Sequence, residues 1–321
     1  MIKKIFFLTL IIIIITLLLL LVINQNNRKN PLVDKKAEIN YALSLFKSDN
    51  QYFDYLIESP HLKIYFSSSD KEIARQLIAL TENSYSYLIK IYKNSPADKT
   101  NIFLFQNFDK LKKLTSVLPF ITSSSGFGGF DTFPPLGEGV KIYIPEKDKK
   151  IMNEIEIQQT FMLTHEISHR FFYYLYPNIR KPLRPNWLDE GLATYIGLEA
   201  SQFYKMSYGF DAVVNWGKQK EVFPVKLNSL DKLQEKNETL DLFYGLSASI
   251  IYFLCKNYGQ DSIGQFLEEY NKTTDLYSSF LKVFKVSIID FEKEWLNFTQ
   301  ETAHKAKSGT DFYNLYNLDM K

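Results

Sequence analysis

The chain has 321 residues, 45% of them hydrophobic and 16% aromatic, which is enough apolar mass for one large or two modest domains with a real core. Its 38 basic residues against 36 acidic leave a formal charge of only +2, so there is no electrostatic footprint for nucleic acid. The single cysteine, Cys255, lies in an apolar run; intramolecular disulfides and a thiolate metal cage are both excluded, and any metal site must use histidine and carboxylate.

Residues 1–4 carry Lys3 and Lys4, and the stretch from Ile5 to Ile23 then runs without a charge, interrupted only by Thr9 and Thr16. As a helix at about 1.5 Å per residue it approaches the ~30 Å hydrocarbon core of a bilayer. It is longer than the apolar region of a cleaved leader, and no small-residue cleavage site follows it. Residues 5–23 are therefore expected to form an uncleaved transmembrane anchor. Basic residues flank it on both sides, so charge does not set its orientation. Single N-terminal anchors usually leave the following domain outside the cytoplasm, and that is the expectation here: a single-pass cell-membrane protein with an extracytoplasmic domain.

Residues 24–58 are polar, with a weakly amphipathic stretch from Ala37 to Phe46, and read as a juxtamembrane stalk. From 59 to 149 the pattern is that of an α/β sheet lobe. His61 to Phe66 alternates like a half-buried strand, and Asp70 is placed to cap a helix carrying Ile73, Leu77, Leu80, Leu88 and Ile91. A strand at Asn101 to Gln106, a short helix near Asp109 to Leu118, the glycine-rich Gly126 to Phe130 and a strand at Val140 to Ile144 complete it. Residues 150–305 read as helical. One helix runs from Lys150 and must stop at Pro177; another begins after Pro185 and passes Ala200. Further helices are expected over Leu240 to Tyr258, closed by Gly259, then Ser262 to Tyr270, Leu276 to Phe284 and Ile288 to Phe298, with 306–321 as a tail. The fold class expected is α+β, a small mixed sheet lobe followed by a mostly helical lobe.

His165-Glu166-Ile167-Ser168-His169 matches H-E-x-x-H within the first long helix. Residues four apart stand one above the other on a helix, so both imidazoles can face one metal ion and Glu166 can reach water beside it. A catalytic zinc site takes three protein ligands and keeps one open position. Glu190, in Trp187-Leu188-Asp189-Glu190-Gly191, lies on the next helix after a proline-bounded connection and supplies the third. Gly191 allows close helix approach. Asp189 is about 100° round the helix from Glu190 and is expected to point away from the metal. His61 and His304 have no partner at ligand spacing and read as ordinary surface or strand histidines.

These two segments, extended through Leu192-Ala193-Thr194-Tyr195, resemble the gluzincin metallopeptidases, and residues 61 to 300 look like the peptidase MA-like domains of bacterial membrane-associated proteins. The resemblance implies one zinc ion held by His165, His169 and Glu190, with Glu166 as general base. It implies a peptide or protein substrate hydrolysed by zinc-activated water. Tyr244, in Leu242-Phe243-Tyr244-Gly245, resembles the tyrosine that gluzincins place on a later helix to stabilise the oxyanion. Aminopeptidase relatives carry a G-x-M-E-N strand where this chain reads Gly126-Phe127-Gly128-Gly129-Phe130-Asp131; the Glu that holds a free amino terminus is absent, which favours internal cleavage. Thermolysin-like relatives have Asp four residues after the Glu ligand, and here that residue is Thr194, leaving the support of the histidines unassigned. The alternative is a catalytically inactive metallopeptidase-like binding module of a cell-envelope assembly.

Overall fold

In the computed structural model the described residues are 44–317 without 106, 115–126, 132–135, 137, 146–151, 181–182, 202–208, 220–225 and 236–238. The expected anchor at 5–23 lies outside them. Among the described residues no helix is long and apolar enough to cross a membrane.

The first half builds a six-stranded mixed sheet. Its strands are β1 (Ser44–Lys47), β2 (Tyr55–Glu58), β3 (Leu62–Phe66), β4 (Thr100–Phe105), β5 (Phe127–Asp131) and β6 (Gly139–Tyr143), in the spatial order β1-β2-β3-β4-β6-β5. Parallel pairing joins β3 to β4 and β4 to β6, while β1, β2 and β5 pair antiparallel with their neighbours. The alternation expected for His61 to Phe66 is present, since Leu62, Ile64 and Phe66 are buried and Lys63 and Tyr65 are not fully so. The sheet begins earlier than residue 59: β1 and β2 fall within the segment read as stalk. Strand β5 stands at one edge with glycines Gly128 and Gly129 in its centre.

Helix α1 (Lys71–Tyr92) packs on the sheet with Leu77, Ile78, Leu88 and Ile91 buried; Asp70 precedes it, buried, without a capping hydrogen bond from its side chain. Helix α2 (Phe108–Leu114) follows β4. The remainder is helical: α3 (Met152–Leu175), α4 (Asn186–Ser201), α5 (Phe210–Gly217), the single turn α6 (Asp231–Gln234), α7 (Leu240–Tyr258), α8 (Asp261–Thr273), α9 (Leu276–Phe284), α10 (Ile288–Lys305) and α11 (Gly309–Asn317). α3 ends before Pro177 as a ring lacking an N–H requires, and α7 ends at Gly259, whose φ of 80° suits glycine. The segment expected as a tail carries α11, with Phe312 and Tyr316 buried in the common core.

Three features hold α3 and α4 in place. Arg170 of α3, almost wholly buried, donates from Nε to Glu138 at 2.6 Å and from a terminal nitrogen to Thr100 Oγ1 at 3.2 Å, tying the helix to the starts of β4 and β6. Tyr92 at the end of α1 bonds Ser168 Oγ at 2.7 Å from the other side. The N-terminus of α4 is capped from a distance, for Asp231 accepts the backbone N–H groups of Asn186 and Trp187, each at 3.2 Å.

Candidate metal centre

The stretch of α3 that carries the motif is buried almost all round. From Gln159 to Phe172 every residue is buried except Met162, Glu166 and His169, and half-buried Tyr173 continues the same series. These positions recur at intervals of three and four, so they form one stripe along the helix, the only face of that stretch open to solvent. Glu166 and His169 therefore lie on that stripe, whereas His165 is buried beside it.

His165 and His169 bring their Nε2 atoms within 3.2 Å of each other. Glu190 of α4 places Oε2 3.2 Å from His165 Nε2 and 3.5 Å from His169 Nε2. One donor atom from each residue lies within 4.8 Å of the others, a group that could hold a metal ion. All three side chains are largely shielded, with exposures of 11%, 14% and 18%. Two features fit an ion better than a finished hydrogen-bond network. Two imidazole nitrogens face each other, and buried His165 Nδ1 and Glu190 Oε2 have no hydrogen-bond partner among the described residues. The donor set, two imidazoles and one carboxylate, suits a borderline divalent cation.

The electrostatics of the bare group point the same way. Burial alone would depress the His169 imidazolium, but the carboxylates of Asp189 and Glu190 outweigh it and hold His169 well above the ordinary histidine range. Burial would raise Glu190, whereas the His169 charge and the nearness of both imidazoles pull it far below the ordinary carboxylate range. A cation is what this cluster of buried carboxylates attracts.

Asp189 has the role that was not foreseen. It is not one of the three donors of the metal group, but its Oδ1 accepts a bond from His169 Nδ1 at 2.9 Å. Arg184 in turn brings Nε to 3.3 Å from Asp189 Oδ2 and lies over the Phe172 ring. With Nδ1 carrying the proton, His169 turns its Nε2 lone pair to the group, the tautomer that a ligand needs. Thr194, four residues after Glu190, is buried and its hydroxyl has no partner among the described residues.

Glu166 stands beside this group with its carboxylate held by the edge strand: Phe130 N–H donates to Oε2 at 2.8 Å. Tyr244 on α7 lies with its ring 6.1 Å from the His165 ring and nearly perpendicular to it. What brings α7 there is close backbone approach. A Cβ on Gly191 would meet the Ser247 carbonyl oxygen at 2.5 Å, so only glycine lets α4 and α7 cross at that distance. The close approach expected of Gly191 is thus to α7; toward α3 it is Gly197, where a Cβ would lie 3.0 Å from the Phe161 carbonyl. His61 and His304 take no part in the group: His61 precedes β3 and bonds Glu82, and His304 lies in the last turn of α10.

No model of a known protein family matches the chain, and no curated protein matches it.

Proposed function

We propose that this protein is a membrane-anchored zinc metallohydrolase, an endopeptidase whose ligands are His165, His169 and Glu190 and whose general base is Glu166. The observation that carries the reading is the convergence of these three side chains from α3 and α4 on one largely shielded point, with Glu166 next to it on the open stripe of α3. A bound zinc ion would supply Lewis acidity, polarising a scissile carbonyl and acidifying water.

The chain's own residues do the rest. Phe130 N–H fixes one carboxylate oxygen of Glu166, which leaves the other to take the proton of an attacking water and return it to the departing amine. Asp189 keeps His169 in its ligating tautomer. Tyr244, whose ring lies beside that of His165, would steady negative charge on the carbonyl oxygen. Strand β5, at the sheet edge and rich in glycine, offers its backbone to an extended substrate, which suits internal cleavage. Residues 5–23 supply the anchor in this reading, with the described residues outside the cytoplasm.

The test is zinc content and peptide hydrolysis of the full-length protein in detergent, beside Glu166→Gln. Both proteins should bind about one zinc ion per chain, and the variant should hydrolyse peptides about 10²–10⁴-fold more slowly. Activity retained in Glu166→Gln would remove the mechanism. Zinc bound with no hydrolysis by either protein would favour the inactive binding module.

A further inference from the structure

The open stripe of α3 has two dissimilar ends. Met162 lies one turn before Glu166, while Tyr173 lies two turns after it on the same face. At about 1.5 Å per residue, Tyr173 is roughly 10 Å along the axis from Glu166, the span of about three residues of an extended chain. Phe130 bridges that interval, since its N–H meets Glu166 and its ring packs 6.4 Å from the Tyr173 ring.

Over Tyr173 sits Arg180, its guanidinium carbon 4.7 Å from the ring centroid. Arg180 belongs to the connection between α3 and α4, in which residues 177–185 contain no acidic residue. The two described cations of that connection differ. Arg184 is committed to Asp189, whereas Arg180 is exposed and pairs with no carboxylate among the described residues. A guanidinium spread on an aromatic face keeps its edge N–H groups available for a bidentate carboxylate.

We infer that Arg180, seated on Tyr173, selects substrates carrying a carboxylate about three residues from the scissile bond, with an apolar residue accommodated toward Met162. The carboxylate is an Asp or Glu side chain or the substrate's own C-terminus. The inference rests on the peptidase reading above and names the substrate class for it. A cation near the end of α3 also complements the helix dipole, and that role alone would change stability without changing selectivity.

The experiment compares zinc-loaded full-length protein with Arg180→Ala and Arg180→Glu. Matched peptide sets carry Asp, Asn or Lys at each position, with free or amidated C-termini. In kcat/KM, the wild type should prefer the acidic member at one position by about threefold to tenfold, a preference that fades with added salt. Arg180→Ala should lose it while neutral peptides are cleaved as before, and Arg180→Glu should turn it toward Lys. Equal treatment of acidic and neutral peptides by the wild type, or an equal loss on both in the variants, overturns the inference. Fluorescence anisotropy of the same peptides on zinc-loaded protein keeps the two readings apart. If nothing is hydrolysed the peptidase reading fails, while Arg180-dependent discrimination in binding still decides this one; its absence there overturns it. Discrimination found only between free and amidated C-termini assigns the carboxylate to the substrate's end.

Discussion

His169 and His61 each donate an Nδ1 proton to a buried carboxylate, at 2.9 Å to Asp189 and 2.7 Å to Glu82, yet their neighbourhoods differ in everything beyond that bond. His61 is 41% exposed and lies flat on Tyr85, with ring centroids 4.2 Å apart. Its partner Glu82 also accepts the hydroxyl of Ser59 and the backbone N–H of His61, so the cluster fastens the β2–β3 hairpin to α1. His169 is 14% exposed, and its second nitrogen meets another imidazole and Glu190. A carboxylate behind an imidazole fixes the ring; what the far nitrogen meets decides whether the fixed ring is a fastener or a ligand.

The comparison can be broken most sharply at the ligands. His169→Ala and Glu190→Gln should each reduce bound zinc from about one ion per chain to nearly none after dialysis, whereas His61→Ala should keep it. Elemental analysis reads the outcome, and parallel loss in the His61 variant would dissolve the distinction. The carboxylates give the next largest contrast. Asp189→Asn should weaken zinc binding about 10–100-fold in a chelator competition. Glu82→Ala should leave zinc affinity unchanged but lower unfolding stability by about 1–3 kcal/mol in urea, because its buried donors lose their acceptor. Reversed outcomes would exchange the two roles.

The smallest effect is a pH dependence confined to the metal-free protein. His169 is raised in the folded state, so its contribution to stability is fully present below the ordinary histidine value of 6.5 and is lost as pH rises through the raised value. Glu190 is depressed, so its contribution is present above the ordinary value of 4.5 and is lost as pH falls toward its depressed value. Denaturation midpoints of metal-free protein should therefore pass through a maximum, and Glu190→Gln should flatten its acid side. Zinc competes with the His169 proton, so zinc affinity should fall as pH falls. A zinc affinity that does not change between pH 8 and pH 6 would count against His169 as a ligand.

Much of this was readable along the chain, and the exceptions share a cause. Pro177, Pro185 and Gly259 end or begin helices through their own backbone chemistry, and their positions needed no tertiary information. H-E-x-x-H placed two imidazoles on one helix face because that is a property of a single helix. β1 left no such mark: Leu45 and Phe46 are adjacent and both exposed, so the edge strand lacks alternation and exists by pairing with β2. The angle of Asp189 on α4 gives no hint of its partner, because the His169 ring comes from α3 and one helix cannot say where its neighbour stands. The partnership of His61 with Glu82 was hidden for the same reason, since β3 and α1 meet only in the folded chain.

The crossing at Gly191 also bears on the shape of the site. A residue without a side chain is required here by a carbonyl oxygen that a methyl group would strike. Of Asp189-Glu190-Gly191, then, the silent member is the one that sets where α7 can stand. A chain that kept both acids but carried alanine after them would have to move the helix bearing Tyr244, and with it one wall of the site.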